Sequence, residues 1–557
     1  MKMEFSRINT DVLVIGGGLA GLNAAIAAAE KGAQVVVMDK GKIERSGSIG
    51  GGVDHLGAWL NSGPAWDTRE AWLENAWRIG KGTAHLSILD ATVCDELAAA
   101  LDRLERLGVP LRQPDGTYLR TQAFGQPGPT TINFNGKRMK PALAKEVRRL
   151  GCRVLDRVMT VTLITQKGVV AGALGFHIRS GEPFLIEAKA TIIATGSTNR
   201  ITQNPRMNAF NTWQCPLDTG DGQVMAFNAG AALTNMEYMR ITIVPKGFSA
   251  AGLGAFTAMG GRFLNAKGEY YMEKNYPAGN KAPRNQIVFQ TLKEIQEGRG
   301  PVFIDCTHVT GFDARHLATT LGYDKDTLPD YLAQRGEDIT KRPLAVDVSE
   351  GLQCGPTNET GSGVKIDRHC ASTVPGLFAG GDAADHHRCV RGCVTGGFSA
   401  GKGAADYALK TNAIEIDPTP LRDAFDSFMA PLRRKTGLSY GEMEEVIGKV
   451  VSEHMAVGRT EMGLNIGFEK LKGIESHIGL LKAENFHELM RANETRSILQ
   501  VAKIMNRAAE YRKESRIKPY HYRLDYSETD DQNWCGLVVV EKDGEGIRLS
   551  FDRTVHG

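Results

Sequence analysis

The chain has 557 residues, 42% of them hydrophobic and 24% charged, with a formal charge of +3 at neutral pH. That length exceeds one ordinary core and points to about two to four domains. The even charge balance argues against nucleic acid or a membrane surface as the main partner, while leaving room for local basic pockets. No apolar run is long enough for a spanning helix, and the N-terminus, MKMEFSRINTDVLV, lacks the apolar centre of a secretory signal.

Regular structure is first legible in Thr10 to Lys40, TDVLVIGGGLAGLNAAIAAAEKGAQVVVMDK. Asp11 to Ile15 suits one buried strand, Leu19 to Glu30 is Ala-rich and predicts a helix, and Gln34 to Met38 is a second apolar run ending at Asp39. Gly16, Gly18 and Gly21 stand between strand and helix in G-x-G-x-x-G spacing, and Asp39 follows Gly18 by 21 residues. Strand, glycine turn, helix, strand and acid in this order are the context of a dinucleotide-binding unit. Gly16 permits the tight turn, Gly18 lets the backbone approach a pyrophosphate, and Gly21 lets helix and strand pack closely. The free N–H groups at the helix N-terminus favour phosphate, and Asp39 can accept from a ribose hydroxyl.

Ser46 to Gly52 is nearly all small residues, which predicts backbone wrapped closely around a bulky ligand. Residues 66–108 predict two helices interrupted at Gly80 and Gly82, and 110–136 is polar and rich in Gly, Pro and Thr. A helix with a basic outer face is expected over Lys140 to Leu150, then a strand from Arg153. Thr160 to Ile164 and Val169 to His177 predict paired strands turning at Gly168. Phe184 to Ala188 and Ala190 to Ala194 predict two more, closing on Thr195-Gly196. Gly220, Asp221 and Gly222 open a short helix. The pattern then changes: 234–345 predicts an inserted domain, with a helix over Gln286 to Gln296 and a strand over Val302 to Asp305. Gly376 to Asp382, GLFAGGD, resumes the first domain over 346–415, and the small-residue stretch Gly396 to Tyr407 predicts a helix packed tightly beneath a ligand. Residues 416–557 predict amphipathic helices and a closing hairpin around Asp543-Gly544. The expected fold class is α/β: a Rossmann-like domain over 1–233 and 346–415, an inserted α+β capping domain and a C-terminal helical domain.

The motifs in this order resemble the flavoprotein subunits of the fumarate reductase and succinate dehydrogenase superfamily. The resemblance rests on the glycine turn with Asp39, ATG at 194–196, PGLFAGGDAA at 375–384 and RKESRIKPYHYRLDYSETDDQNW at 512–534. Within it, ERSGSIGGG at 44–52, NTWQCPLDTGDG at 211–222 and PRNQIVFQTLKEIQEGRGPVFID at 283–305 are most similar to the alpha subunit of adenylylsulfate reductase. The resemblance implies FAD. Respiratory members carry a flavin-bonded histidine where Ser46 stands, so it implies non-covalent FAD. It assigns cofactor binding to Gly16, Gly18, Gly21, Asp39, Lys40, Ser46, Gly47, Gly51, Gly52, Thr195, Gly196, Asp221, Gly381, Asp382, Gly396 and Gly397. Arg284 matches a proton donor or substrate holder, and Arg391 matches a clamp for a substrate carboxylate. The two dicarboxylate-binding histidines of the family are missing near Thr242 and near Ser349 and Glu350, and Gly57 stands where the sulfur enzyme has asparagine.

FAD carries the redox chemistry in such proteins, while the chain supplies orientation and charge. Guanidinium forks suit carboxylate, sulfate or phosphate, so Arg284, Arg391 and Arg240 are the substrate-binding candidates, with His387 after GGDAAD as a proton donor or anion ligand. His386 and His55 are further histidines to weigh; covering the flavin edge is the plainer role for the 386–388 cluster. Core packing is the plainer role for Trp59 and Trp213. The nine cysteines contain no C-x-x-C and suit free thiols in a reducing cytoplasm. The chain then encodes no cluster, and the resemblance implies a ferredoxin-like iron–sulfur beta subunit in a hetero-oligomer. The alternatives are a fumarate-type reductase of an unsaturated acid, with Arg284 delivering the proton, and an electron-transfer flavoprotein subunit without its own substrate.

Overall fold

The computed structural model describes residues 4–204, 212–250, 253–325 and 327–553. Its central sheet is built around β1 (Ser6–Ile15), which passes through the glycine turn into α1 (Leu19–Glu30) and returns as β2 (Val35–Asp39). β1 runs parallel to β2 on one side and to Pro183–Ile193 on the other, so Ile15 lies opposite Met38 and Ile193. Arg153–Asp156 extends the sheet beyond β2, and Leu377–Ala379 pairs parallel with the end of Pro183–Ile193. Val158–Gln166 and Val169–His177 form the antiparallel flank, joined through Gly168 at φ +77°. The parallel strands therefore end together, and in such sheets ligands bind outside those carboxyl ends. Val12, Leu13 and Val14 are fully buried because helices cover the sheet, which explains an apolar run without alternation.

α1 is buried along nearly its whole length. Its alanines let the helix Cys389–Ala408 cross at close range: a Cβ on Gly397 would stand 2.4 Å from the Ala20 carbonyl oxygen, and one on Gly401 2.2 Å from that of Ala24. Two expectations are corrected. Pro183–Ile193 is one strand, not two: extended backbone continues through Lys189, and Ala188 and Ala190 on either side of it both pair with β1. The helix expected from Gly396 begins at Cys389, so Arg391 is helical.

The inserted segment carries an antiparallel sheet, Ile243–Pro245, Leu344–Val348, Val302–Asp305 and Arg262–Leu264 in that order. Helices Arg284–Gln296 and Gly311–Asp324 pack with it around a separate core containing Phe256, Phe263, Ile287 and Val288. The two chain crossings into this cap run side by side, Met239–Arg240 pairing with Leu352–Gln353. That pairing fixes Arg240 at the base of the cap. The C-terminal helices are Thr419–Met429, Tyr440–His454, Glu461–Glu475 and Phe486–Tyr511, followed by the hairpin Leu537–Asp543 and Gly546–Asp552. The closing motif is a buried ion network: Arg512 Nε donates to Glu237 (2.7 Å), and Arg512 Nη1 and Arg516 Nε donate to Glu514 (2.9 and 2.5 Å). It ties the tail to the segment that leads into the cap.

Candidate functional site

A crevice opens at the carboxyl ends of the parallel strands and runs beneath the cap. At the glycine turn, Gly16 adopts φ +101° and a Cβ there would stand 2.4 Å from the Ala194 carbonyl oxygen. A Cβ on Gly21 would stand 1.7 Å from the Gly16 carbonyl oxygen, the close helix–strand approach expected of it. Gly18 differs. It lines the crevice, its φ is −66°, and among the described residues the one atom within 4 Å of a Cβ would be Ala194 O at 3.9 Å. No side chain caps α1, so its first-turn N–H groups face this space without a side-chain partner.

Asp39, Lys40, Ser46, Gly47, Thr195, Gly196, Asp221 and Asp382 also line the crevice. Asp39 accepts from the backbone N–H of Gly17 and of Gly41, both at 2.6 Å, and so holds the turn as well as facing the ligand space. Ser46 Oγ donates to Gly17 O at 3.3 Å. The Lys40 ammonium is already paired, with Asp221 at 2.6 Å and Glu494 at 2.8 Å. Thr195 Oγ1 and Asp221 Oδ1 are buried with no hydrogen-bond partner among the described residues. The other five glycines lie elsewhere. Gly52, at φ +145°, lets the loop pass Tyr323 O in the cap, Gly51 is exposed, and Gly381, Gly396 and Gly397 admit Ala20 and the His387 ring in helix packing.

Where the crevice meets the cap, Arg240 donates to Thr357 O (2.8 Å) and Asn358, and Arg284 Nη1 donates to Thr242 Oγ1 at 3.0 Å. The Arg284 guanidinium lies 4.4 Å from the Phe124 ring centroid. Burial first, and Arg240 second, lower its pKa to about 10. Neither arginine has a carboxylate within ion-pair distance among the described residues. Arg388, which also lines the crevice, is paired with Asp382.

Arg391 and His387 depart from expectation. Arg391 points away from the crevice lining to Glu359, a buried carboxylate that also accepts from Trp72 Nε1 and Gln126 Nε2, both at 2.9 Å. His387 is buried beneath the helix that starts at Cys389, with Nε2 2.9 Å from Thr92 Oγ1, and desolvation lowers its pKa to about 3. It is a neutral packing residue. His386 likewise pairs with Asp385 (2.5 Å) and accepts from the His85 N–H (3.0 Å). Trp59 stacks on Trp72, whereas Trp213 lines the crevice with a buried Nε1 that has no partner among the described residues.

Four groups in or beneath the crevice are not singled out by sequence, or are left undecided by it. Lys140, expected on a basic outer face, is buried with its ammonium on Gly17 O beneath the turn, and burial lowers its pKa to about 8. Its spacing to Leu143, Ala144 and Val147 puts it on the buried face of its helix, a signal present in the sequence. Asp218 accepts from Ser48 Oγ at 3.0 Å, and burial raises its pKa to about 7. His55 Nδ1 stands 2.5 Å from Asp54 Oδ1. Asp324, from the cap, is raised to about 7 by burial and then by Asp54.

Comparison with known proteins identifies the family. Residues 11–396 match the FAD binding domain model, and 444–556 match the fumarate reductase flavoprotein C-terminal model. The chain belongs to the fumarate reductase and succinate dehydrogenase flavoprotein family. Similar proteins include a subunit of the CoM/CoB fumarate reductase of Methanothermobacter marburgensis, 27% identical over 97% of this chain and 98% of that one. An uncharacterized FAD-dependent oxidoreductase of Methanocaldococcus jannaschii is 26% identical over 98% of both. Adenylylsulfate reductase from Archaeoglobus fulgidus superposes with a TM-score of 0.89 at 25% identity, over 100% of this chain and 97% of that one.

The chain is thus an FAD-dependent oxidoreductase flavoprotein. The crevice suits that cofactor on its own terms. The uncapped α1 N-terminus and the bare face of Gly18 would take the pyrophosphate. The unpartnered Thr195 Oγ1 and Asp221 Oδ1 supply polar contacts that burial otherwise leaves unsatisfied. FAD, when bound, supplies the electron-accepting chemistry that no side chain can. Among the described residues, no helix is long and apolar enough to cross a membrane.

Proposed function

We propose that the chain is the flavoprotein subunit of an adenylylsulfate reductase alpha-like enzyme. It holds FAD non-covalently, binds a small anionic substrate between Arg240 and Arg284, and exchanges electrons with a separate ferredoxin-like iron–sulfur subunit. The observation that carries this reading is the pair of guanidinium groups in the crevice that have no carboxylate partner among the described residues. Buried cations without counter-ions are costly, and an anion from outside the chain offsets that cost. Arg388 and Arg391 cannot serve in this way because Asp382 and Glu359 neutralise them. Ser46 offers no imidazole for a flavin bond. The separate relay is argued from scattered free cysteines and from a relative whose name marks it as one component of a multi-subunit fumarate reductase.

A second reading, reduction of an unsaturated carboxylic acid, is favoured by one feature: Arg284, with its pKa lowered to about 10, is a better proton donor than an ordinary arginine. The test is reoxidation of dye-reduced holoprotein by adenylylsulfate, fumarate and acrylate side by side. Fastest reoxidation by adenylylsulfate supports the first reading, and fastest reoxidation by fumarate or acrylate moves the assignment to the second. Wild-type rates in Arg284→Ala with every anion would overturn both.

A further inference from the structure

We propose that His55, oriented by Asp54, is the proton-exchanging residue of this site, acting on the anion held by Arg240 and Arg284. This rests on the anion site proposed above and assigns it a catalytic group. His55 opens the short strand His55–Gly57, whose pairing with Thr131–Asn133 fixes its backbone. Its Nδ1 lies 2.5 Å from Asp54, whose side chain is 5% exposed, whereas 41% of the His55 side chain is open. That open part faces the crevice, which His55 lines together with both arginines. Asp54 occupies the Nδ1 side, so Nε2 is the nitrogen left for the crevice. The opposite wall is the cap, which lies close to the ring: a Cβ on Gly254 would stand in ordinary contact, 3.6 Å from His55 Cε1.

A carboxylate on Nδ1 fixes the tautomer and stabilises the imidazolium, the arrangement used wherever histidine shuttles a proton through Nε2. The groups facing the ring are Asp54 on its own segment, Asp324 and, through Asp54, His316 on the cap helix, and Arg284 at the head of its helix. Burial opposes the charged ring most strongly and Arg284 adds to that, but Asp54 and Asp324 together outweigh them, so the imidazolium persists above the ordinary histidine range. An imidazolium is a better acid at neutral pH than a guanidinium. In the reductive direction His55 Nε2 would give its proton to the substrate atom that gains electron density, the leaving oxygen of an adenylylsulfate as its S–O bond breaks or a carbon of an unsaturated acid as its π bond opens, and solvent would return a proton to the ring. FAD, when bound and reduced, would supply the electron pair.

The test uses holoprotein with malonate as a non-reacting anion, followed by flavin absorbance and by NMR of the His55 ring. If malonate perturbs neither wild type nor any variant, the anion site fails and the proposed function with it. If it binds and Arg284→Gln weakens it, the site stands and His55 is tested separately. His55→Gln is then expected to keep malonate affinity within about threefold but to slow single-turnover reoxidation roughly 100-fold and flatten its pH dependence. Asp54→Asn is expected to move the alkaline limb of wild-type turnover, and the His55 midpoint, to lower pH. Unaltered reoxidation in His55→Gln, or a loss that leaves the pH limb in place, overturns the proposal. So does a wild-type His55 resonance whose titration malonate does not shift, a readout that needs no variant to fold.

Discussion

Gly18 and Gly21 stand three residues apart in one turn, yet a methyl group on each should do opposite things. Gly18 has φ −66°, which any residue adopts, and its Cβ would meet nothing closer than Ala194 O at 3.9 Å. Gly18→Ala should therefore leave the apoprotein as stable as the parent, or about 0.4–1 kcal/mol more stable through lost freedom in the unfolded chain. The same methyl projects into the crevice where α1 presents its free N–H groups. Displacing a phosphate from one charge-assisted hydrogen bond there costs about 1.5–3 kcal/mol, or roughly 10- to 150-fold in FAD affinity. Gly21→Ala would place carbon 1.7 Å from the Gly16 carbonyl oxygen, a backbone atom clamped between strand and helix. Overpacking of that kind costs about 1–3 kcal/mol or more and acts on folding itself. The assay pairs denaturant midpoints of the two apoproteins with FAD titration by fluorescence quenching. Full FAD affinity in Gly18→Ala, or equal loss of apoprotein stability in both variants, would refute the assignment of the turn.

Lys140 should make apoprotein stability depend on alkaline pH. Its pKa is about 8 when folded against 10.5 as a free side chain, so the unfolded chain binds more protons between those values and stability rises across that window, by up to about 3 kcal/mol. Urea midpoints of wild type and Lys140→Met from pH 7.5 to 10.5 should differ in slope, and equal slopes would show the ammonium is not buried as described. Arg391→Met should leave malonate affinity unchanged but destabilise the fold by about 3–5 kcal/mol, because Glu359 stays buried without its cation. A tenfold loss of malonate affinity at unchanged thermal stability would restore Arg391 as the clamp.

What sequence could and could not reveal follows from the range of each interaction. α1 has the bounds read from its composition, and the Gly168 hairpin and the helix after Gly220 fall where turn chemistry put them, because those signals are local. The availability of a charge is not local. Arg391 and Arg240 each carry a guanidinium in a motif-like setting, and only the fold decides that Glu359 reaches one while the other meets a backbone carbonyl and an amide. His387 follows an acid at a strand end, as a ligand-facing histidine would, but the helix beginning at Cys389 turns its ring back toward Thr92. The Asp54–His55 contact was hidden for the opposite reason. Neighbours in a strand point to opposite faces, so an Asp-His dipeptide before an apolar residue argues against contact. Here the chain bends at Asp54 and the strand starts only at His55, which frees the carboxylate to swing onto Nδ1. The bend is set by long-range pairing: Phe134 N donates to Asp54 O, and His55 lies opposite Asn133. A dyad made by adjacent residues thus depends on a partner strand almost eighty positions away, and the same pairing that conceals it from sequence holds it rigid enough to direct a proton.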